Sequence, residues 1–212
     1  KNEATFADDK TIFHLGESHC LSYAHKLIKF QDANYTIVPR ITFGAKAYHF
    51  SVEKDCAHKA ITKANFDSLP DNSIVFISFG EIDCRPNEGF ISAAKKHEKQ
   101  IEILVSDTVR GYLDWFAEQN KSKNHSLFFF NVPAPIYDER YTFDLNKKVT
   151  DTVKLFNSLL SKTVLKYDLN LIDVYKFTVG PDEFSNGSFH IDGRHLSSAA
   201  IPEIEKQIGT FL

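Results

Sequence analysis

Residues 11–25 read TIFHLGESHCLSYAH, and the rest of the chain is organised around this stretch. The apolar run at residues 12–15 predicts a strand, Gly16 predicts a sharp turn, and a helix is expected from about His19. A serine on such a turn, at the carboxyl end of a parallel strand, can present its hydroxyl to a substrate. Ser18 can instead be only the N-cap of this helix, which is the commoner role of a serine in such a short motif. The neighbouring residues leave both interpretations open.

Composition and charge narrow the range of functions. The chain has 212 residues, of which 42% are hydrophobic and 13% aromatic, enough for one packed domain that we expect to span residues 1–212. The 25 basic and 28 acidic residues give a net charge of −3, which argues against nucleic acid or an anionic membrane surface as the main partner. No run of apolar residues is as long as a transmembrane helix, so we expect no membrane span.

The first residues and the cysteines indicate how the protein is processed and in which cellular compartment it is located. Residues 1–10 are polar and charged, unlike a secretory signal peptide, and no Met occurs at position 1 or elsewhere. We therefore expect a domain excised from a longer protein, in which it is fused to further domains. The 3 cysteines are odd in number and form no CxxC pair, which predicts neither a disulfide framework nor a zinc site. A reduced, cytoplasmic compartment is the expected location.

Apolar runs alternate with helical patterns along the chain. Strands are predicted at residues 12–15, 35–38, 73–79, 126–132 and 169–174. Helices are predicted at residues 21–30, 51–64, 87–120 with a break near residue 106, 138–167 after an initial loop, and 196–212. Pro39 is expected to end the second strand, and residues 41–48 to form a loop around Gly44. The alternation predicts a three-layer α/β/α fold with a five-stranded, flavodoxin-like parallel sheet in the order 2-1-3-4-5.

This topology brings distant residues together. In open parallel sheets, ligands bind at the carboxyl ends of the strands, here near the switch point between strands 1 and 3. Ser18 follows strand 1 and Asp83 follows strand 3, so both are expected there. In the last loop, DGRH, Asp192 precedes His195 by three residues. A histidine can take the proton of a serine hydroxyl while a carboxylate orients its ring, which makes Ser18, His195 and Asp192 a candidate catalytic triad.

These segments, in this order, resemble the sequence blocks of the SGNH, or GDSL-like, hydrolase superfamily. GESH at residues 16–19 looks like the first block, which carries the nucleophile, and GEID at residues 80–83 looks like the third. DGRH at residues 192–195 looks like the fifth block, which holds the other two triad members. Gly44 looks like the second-block glycine whose amide donates to the oxyanion. The resemblance runs from Ile12 to about Ser198.

Two positions depart from the family pattern. Glu17 replaces the usual Asp and keeps its charge. Asp83 replaces the usual Asn, and an ionised carboxylate can only accept hydrogen bonds, so it cannot donate to an oxyanion. Asp83 could be protonated, could be held by Arg85 or local amides in a structural role, or could mark a site that is not used for hydrolysis. We favour the second interpretation, in which the amides of Ser18 and Gly44 hold the oxyanion.

The resemblance implies a serine esterase that removes a small acyl group, such as acetyl, from a small-molecule or glycan ester without a metal or organic cofactor. The same serine could instead pass the acyl group to a glycan hydroxyl, which would make the protein an O-acetyltransferase. A non-catalytic glycan-binding domain on a hydrolase scaffold is the alternative from a different class, and Asp83 favours it. Arg40, Arg110 and Arg140 could bind an acidic sugar or a phosphate, although surface ion pairs are the commoner role of arginine.

Overall fold

The computed structural model describes residues 10–209, and within them six strands form a single sheet. The strands are β1 Lys10–Gly16, β2 Leu27–Phe30, β3 Ala33–Ile41, β4 Ile74–Ser78, β5 Ser126–Phe130 and β6 Asn170–Ile172. The helices are α1 Ala47–Ser51, α2 Ala57–Asp67, α3 Glu81–Cys84, α4 Phe90–His97, α5 Ile101–Asn120, α6 Phe143–Lys166, α7 Val174–Thr178 and α8 Ile201–Ile208. Short 3₁₀ turns form at Ser18–Leu21 and Ser198–Ala200.

The strand order across the sheet is β2-β3-β1-β4-β5-β6. Strands β3, β1, β4, β5 and β6 run parallel, and their order is the predicted 2-1-3-4-5 arrangement. The α/β class and the flavodoxin-like parallel sheet are therefore confirmed. The predicted number of strands is one too few, because β2 joins the sheet as an antiparallel edge strand.

The helix predicted at residues 21–30 is wrong, since a 3₁₀ turn and β2 occupy this segment. Burial alternates along β2, where Ile28 and Phe30 are buried and their neighbours are exposed. That alternation has the period of a strand rather than that of a helix. Gln31 and Asp32 then turn the chain into β3 with φ angles of 48° and 60°. Two successive positive φ angles characterise the two-residue hairpin turns that suit antiparallel strands.

Strand β3 continues through Pro39 to Ile41, so the predicted end at this proline is also wrong. The Ile37 N–H points toward β2, where it donates to the Lys26 carbonyl. By the alternation of a strand, the nitrogen of Pro39 faces the same side, beyond the residues that pair with β2. The missing N–H therefore costs no hydrogen bond, and the other side of β3 stays paired with β1.

Two of the predicted helices are each split in two. Residues 51–64 belong to α1 and α2, and residues 87–120 contain α4 and α5. The predicted break near residue 106 is wrong, because α5 runs through this position without interruption. The break falls at residues 98–100, where Glu98 adopts a left-handed backbone (φ 51°) that ends α4. The predicted terminal helix begins as a 3₁₀ turn capped by the Ser197 hydroxyl and continues as α8, and its predicted end at residue 212 lies outside the described residues.

Helices cover both faces of the sheet, and each face has its own core. One core packs α1, α2, α5 and α6 against the sheet, and the other packs α8 and the segment after the first 3₁₀ turn. Adjacent residues of β4 enter opposite cores, Val75 the first and Phe76 the second, which explains why the sequence of this strand is continuously apolar. No helix among residues 10–209 is long and apolar enough to cross a membrane.

The carboxyl ends of β1, β3 and β4 meet at the switch point of the sheet. Gly16 approaches β4 so closely that a Cβ there would lie 2.3 Å from Ser78 Oγ and 2.9 Å from the Ser78 carbonyl oxygen. The Thr42 N–H donates to the Gly16 carbonyl at 2.8 Å, which ties the loop after β3 to the end of β1. The segments that follow these three strands therefore converge on one edge of the sheet.

Candidate active site

Ser18 lies directly after β1 and opens the first 3₁₀ turn. The Glu17 carboxylate caps this turn, since its Oε2 accepts the His19 N–H at 3.2 Å. The turn is four residues long, so the helix expected from His19 is no more than a single turn. Ser18 is half-buried, which leaves its hydroxyl accessible at the edge of the sheet.

Asp192 and His195 lie in the last loop, where the carboxylate folds back onto its own segment. Asp192 Oδ1 accepts the N–H groups of Arg194 (2.8 Å) and His195 (2.7 Å), and Oδ2 lies 2.8 Å from His195 Nδ1. Burial slightly opposes the ionised form, but these donors lower the pKa of the Asp192 carboxyl to about 2. An ionised carboxylate on Nδ1 orients the ring so that Nε2 points away from Asp192.

The ring of His195 reaches Ser18 across the sheet edge. His195 Nε2 lies 2.9 Å from Ser18 Oγ, although the two residues are 177 positions apart in the chain. The structure thus brings Ser18, His195 and Asp192 into one hydrogen-bonded row. A base within hydrogen-bond distance of a hydroxyl, itself oriented by a third group, is the geometry that nucleophilic catalysis by serine requires.

A second histidine–carboxylate pair, not predicted from the sequence, lies behind Ser18. His19 Nδ1 lies 2.5 Å from Glu17 Oε1, and His19 Nε2 lies 3.1 Å from the Arg194 carbonyl oxygen. Both ring nitrogens face acceptors, which only an imidazolium with two N–H donors can satisfy. Burial alone would lower the pKa of His19, but the Glu17 carboxylate raises it to about 9. The acid two residues before a histidine in GESH is the sequence signal for this pair.

The Ser18 hydroxyl stands between two possible acceptors. It donates to Glu17 Oε2 at 2.7 Å, and its Oγ is also within hydrogen-bond distance of His195 Nε2. A hydroxyl has one proton and can serve only one acceptor at a time. When the hydroxyl proton points toward Glu17, His195 Nε2 can bond Ser18 Oγ only by donating an N–H. With the proton turned toward His195, the neutral ring can accept it as a general base.

Two backbone N–H groups at this edge, those of Ser18 and Gly44, have no acceptor among residues 10–209. Gly44 has a φ of 67°, a left-handed conformation that glycine adopts without strain. Its loop is held against β1 by the hydrogen bond from Thr42 to Gly16. Unoccupied N–H groups held by a rigid backbone are suited to bind a developing negative charge.

Asp83 is buried and binds the first turn of α1. Its Oδ2 accepts the Ala47 N–H at 2.7 Å, and its Oδ1 accepts the Tyr48 N–H at 3.0 Å. Burial raises the pKa of Asp83 to about 7, against the lowering effect of these two amides. The predicted contact with Arg85 is wrong, and the donors to the carboxyl group are these two amides of α1, which lie 36 and 35 positions away in the chain. Asp83 therefore connects the segment after β4 to the loop that carries Gly44.

Arg85 pairs with two glutamates instead of Asp83. Its Nε and Nη2 contact Glu81 Oε2 at 2.8 and 2.7 Å, and its Nη1 contacts Glu88 Oε1 at 2.8 Å. Both acids lie within one helical turn of Arg85 in the sequence, where such pairs readily form. Arg85 thus stiffens the segment after β4.

The other arginines considered as anion contacts also have partners within the protein. Arg110 pairs with Asp107, Arg140 pairs with Asp138, and the Arg40 guanidinium lies 5.2 Å from the centre of the Phe13 ring. Among the cysteines, Cys20 and Cys84 are buried free thiols, and burial raises the pKa of Cys20 to about 12. Such a thiol stays protonated and is a poor nucleophile near neutral pH.

A groove of 430 Å³ lies beside the last loop, where Gly193 and Arg194, the two residues before His195, line it. Its walls come from the segment after β5, from α3 and the residues after it, and from the last loop through His190, Gly193 and Arg194. Tyr137 and Tyr141 add aromatic surface to the first of these walls. The volume and the mixture of apolar and polar lining suit a small organic ligand.

Comparisons with known proteins identify the fold. No protein-family model and no curated protein matches the sequence. A GDSL-like lipase from Bacteroides thetaiotaomicron is 15% identical with a TM-score of 0.59, over 94% of this chain and 85% of that chain. A lipase/acylhydrolase from Enterococcus faecalis is 14% identical with a TM-score of 0.55, over 94% and 93% of the two chains. An acetyl xylan esterase is 11% identical with a TM-score of 0.53, over 93% and 97%. The chain therefore has the α/β fold of the GDSL-like lipases and acylhydrolases, as its sequence blocks predict.

Proposed function

We propose that this protein is a serine esterase of the SGNH type, which removes a small acyl group such as acetyl from a carbohydrate-like ester. The observation that carries the proposal is the hydrogen-bonded row of Ser18, His195 and Asp192 at the switch point of the sheet. The likeness in fold to a GDSL-like lipase and to a lipase/acylhydrolase supports it.

In this reaction Ser18 Oγ attacks the acyl carbon while its proton passes to His195 Nε2, and Asp192 stabilises the imidazolium that forms. The N–H groups of Ser18 and Gly44 donate to the resulting oxyanion. His195 then gives the proton to the oxygen of the departing alcohol, which leaves Ser18 acylated. Water attacks the acyl-enzyme with His195 again as the base, and the free acid is released.

The groove beside His195 and one similar structure support a carbohydrate ester as the substrate. Tyr137 and Tyr141 offer ring surfaces against which a sugar can pack. One of the matched structures is an acetyl xylan esterase. A sugar hydroxyl bound in the same groove would compete with water for the acyl-enzyme, so the acceptor decides between a hydrolase and an O-acetyltransferase.

Covalent labelling and ester hydrolysis test the proposal together. A fluorophosphonate should add to Ser18, as read by intact mass, and the protein should cleave p-nitrophenyl acetate. Ser18→Ala should lose both properties. His195→Ala should lose esterase activity by a factor on the order of a thousand or more, because no base remains to accept the serine proton.

Ser22→Ala is the matched control, because Ser22 lies on the same turn but its hydroxyl has no partner among residues 10–209. It should label and hydrolyse like the wild type. A wild-type protein that neither reacts with the fluorophosphonate nor cleaves p-nitrophenyl acetate or acetylated glycans would support the non-catalytic glycan-binding alternative.

A further inference from the structure

The groove beside the site is lined by three arginines, and two of them are already neutralised. Arg85 is paired with Glu81, and Arg140 forms a two-pronged ion pair with Asp138. The guanidinium of Arg194 contacts no carboxylate or other acceptor in the part of the chain that the structure describes. Arg194 is half-buried, and its guanidinium is free to bond a ligand that enters the groove.

Arg194 extends from a backbone that is fixed on both sides. Its N–H donates to Asp192 Oδ1 at 2.8 Å, and its carbonyl accepts a hydrogen bond from His19 Nε2 at 3.1 Å. The next residue is His195, whose ring contacts Ser18. Arg194 therefore lines the groove from a backbone position that is next to His195 and held by two hydrogen bonds.

Two acids lie within electrostatic reach of this guanidinium. The pKa of Asp138 is lowered to about 2, chiefly by its bonds to Arg140, and Arg194 adds to the effect. The pKa of Glu88 is lowered chiefly by Arg85, again with a contribution from Arg194. Arg194 thus lies close enough to Asp138, which lines the groove, and to Glu88, which does not, to act on both carboxylates while bonded to neither. Glu139, on the exposed rim, is the groove's remaining charged side chain.

We propose that Arg194 binds an anionic oxygen group of the substrate, a carboxylate or a phosphate, so that the preferred substrates are acidic esters such as an O-acylated uronic acid or sugar phosphate. This inference rests on the proposed function. The planar fork of N–H donors on a guanidinium matches two oxygens of either group. Lysine, as a point charge, would bind the same group with less geometric selectivity.

The test compares three acetylated substrates that share one sugar ring: methyl glucoside, methyl glucuronide with its free carboxylate, and glucose 6-phosphate. We expect kcat/KM for at least one acidic ester to exceed that for the neutral ester by about ten- to a hundredfold, the range of one charge-assisted hydrogen-bonded contact. Arg194→Gln should reduce this ratio to about one, and Arg194→Lys should keep part of it. The acid with the larger ratio identifies the source of the anionic group.

Arg110→Gln is the matched control, because it removes the same charge from α5, where Arg110 is exposed and does not line the groove. This variant should keep the wild-type ratio. The proposal is overturned if the wild type shows no preference for either acid, or if Arg194→Gln keeps the wild-type preference.

A binding measurement separates this proposal from the proposed function. Unacylated methyl glucuronide and glucose 6-phosphate are titrated into the wild type and into Arg194→Gln by calorimetry. Binding that is weakened about tenfold or more by the substitution supports the anion site even in a protein that fails to cleave esters. Equal binding by the two proteins, or no binding by either, rejects the anion site. Failure of the wild type to react with the fluorophosphonate rejects only the esterase.

Discussion

At the scale of single residues, the pair Glu17–His19 sets the environment of the nucleophile. The imidazolium of His19 neutralises the carboxylate that competes with His195 for the Ser18 proton. It also holds the Arg194 carbonyl, so the turn after β1 and the last loop are joined through a buried ion pair as well as through Ser18 and His195. His19 therefore helps to position the last loop against the turn after β1, and it also affects which acceptor the Ser18 hydroxyl proton faces.

The charge of His19 should make stability depend on pH. Its pKa is about 9 in the folded protein, above the ordinary 6.5, so its contribution is complete below pH 6.5 and is lost as the pH rises through 9. We expect the free energy of unfolding to fall by on the order of 2 kcal/mol across this window. Urea unfolding of the wild type and of His19→Gln measures it, and the step should be absent from the variant. A fall of the same size in His19→Gln would assign the step to another group.

Asp83 should produce a similar decline in a more acidic window. Its pKa is about 7 in the folded protein and 3.8 ordinarily, so its contribution is complete below pH 3.8 and is lost as the pH rises through 7. Asp83→Asn should abolish this decline. Below pH 3.8 it should lower stability by roughly 1–3 kcal/mol, because the side-chain NH₂ cannot accept one of the two α1 amides. The difference should narrow as the pH rises and the wild type alone loses stability.

Ester hydrolysis by Asp83→Asn tests the role of Asp83 independently of stability. Asp83→Asn should not speed ester hydrolysis, because the side chain at this position is committed to the N–H groups of Ala47 and Tyr48. Asp144→Asn, at an exposed position in the first turn of α6, is the control and should leave the pH dependence of unfolding unchanged. A faster Asp83→Asn enzyme would show that residue 83 faces the oxyanion after all.

At the scale of secondary structure, the β2–β3 hairpin offers a stabilising substitution. Gln31 and Asp32 both hold positive φ angles, which cost side chains other than glycine and asparagine roughly 1 kcal/mol or more each. Gln31→Asn combined with Asp32→Gly should therefore raise the free energy of unfolding by about 1 kcal/mol. Denaturant unfolding measures the change, and placing valine at both positions should produce the opposite sign. Equal stability of the two double variants would contradict the turn geometry.

The elements also show where sequence patterns succeed and where they fail. The central strands were predictable because burial on both faces demands continuous apolar runs, as in β4 and β5. Strand β2 was not, because its four residues are too few to distinguish alternation from helical spacing. The end of β3 depends on which side of the strand Pro39 faces, and only the pairing of neighbouring strands determines that.

At the scale of the whole molecule, topology accounts for most of what could be predicted about the site. Few arrangements of parallel strands are allowed, so the order of the segments along the chain was enough to place Ser18 and Asp83 at one edge of the sheet. The partners of Asp83 were beyond reach, because its amide donors lie 36 and 35 positions away, in a helix whose start the sequence did not mark. The charge of His19 could not be predicted from the sequence either, because it depends on burial and on the Arg194 carbonyl, an acceptor 175 positions away.

The two borders of the sheet have a consequence for solubility at high concentration. A strand from another molecule can add only to a row of unpaired backbone groups. On β2 the outward N–H of Lys29 already donates to Glu205 Oε1 at 2.7 Å, and beyond β2 the exposed side of β3 contains Pro39, which has no N–H. The opposite border, β6, is three residues long. Both edges of the sheet therefore offer few free backbone groups to a strand from another molecule. Growth of β-aggregates would require local unfolding first.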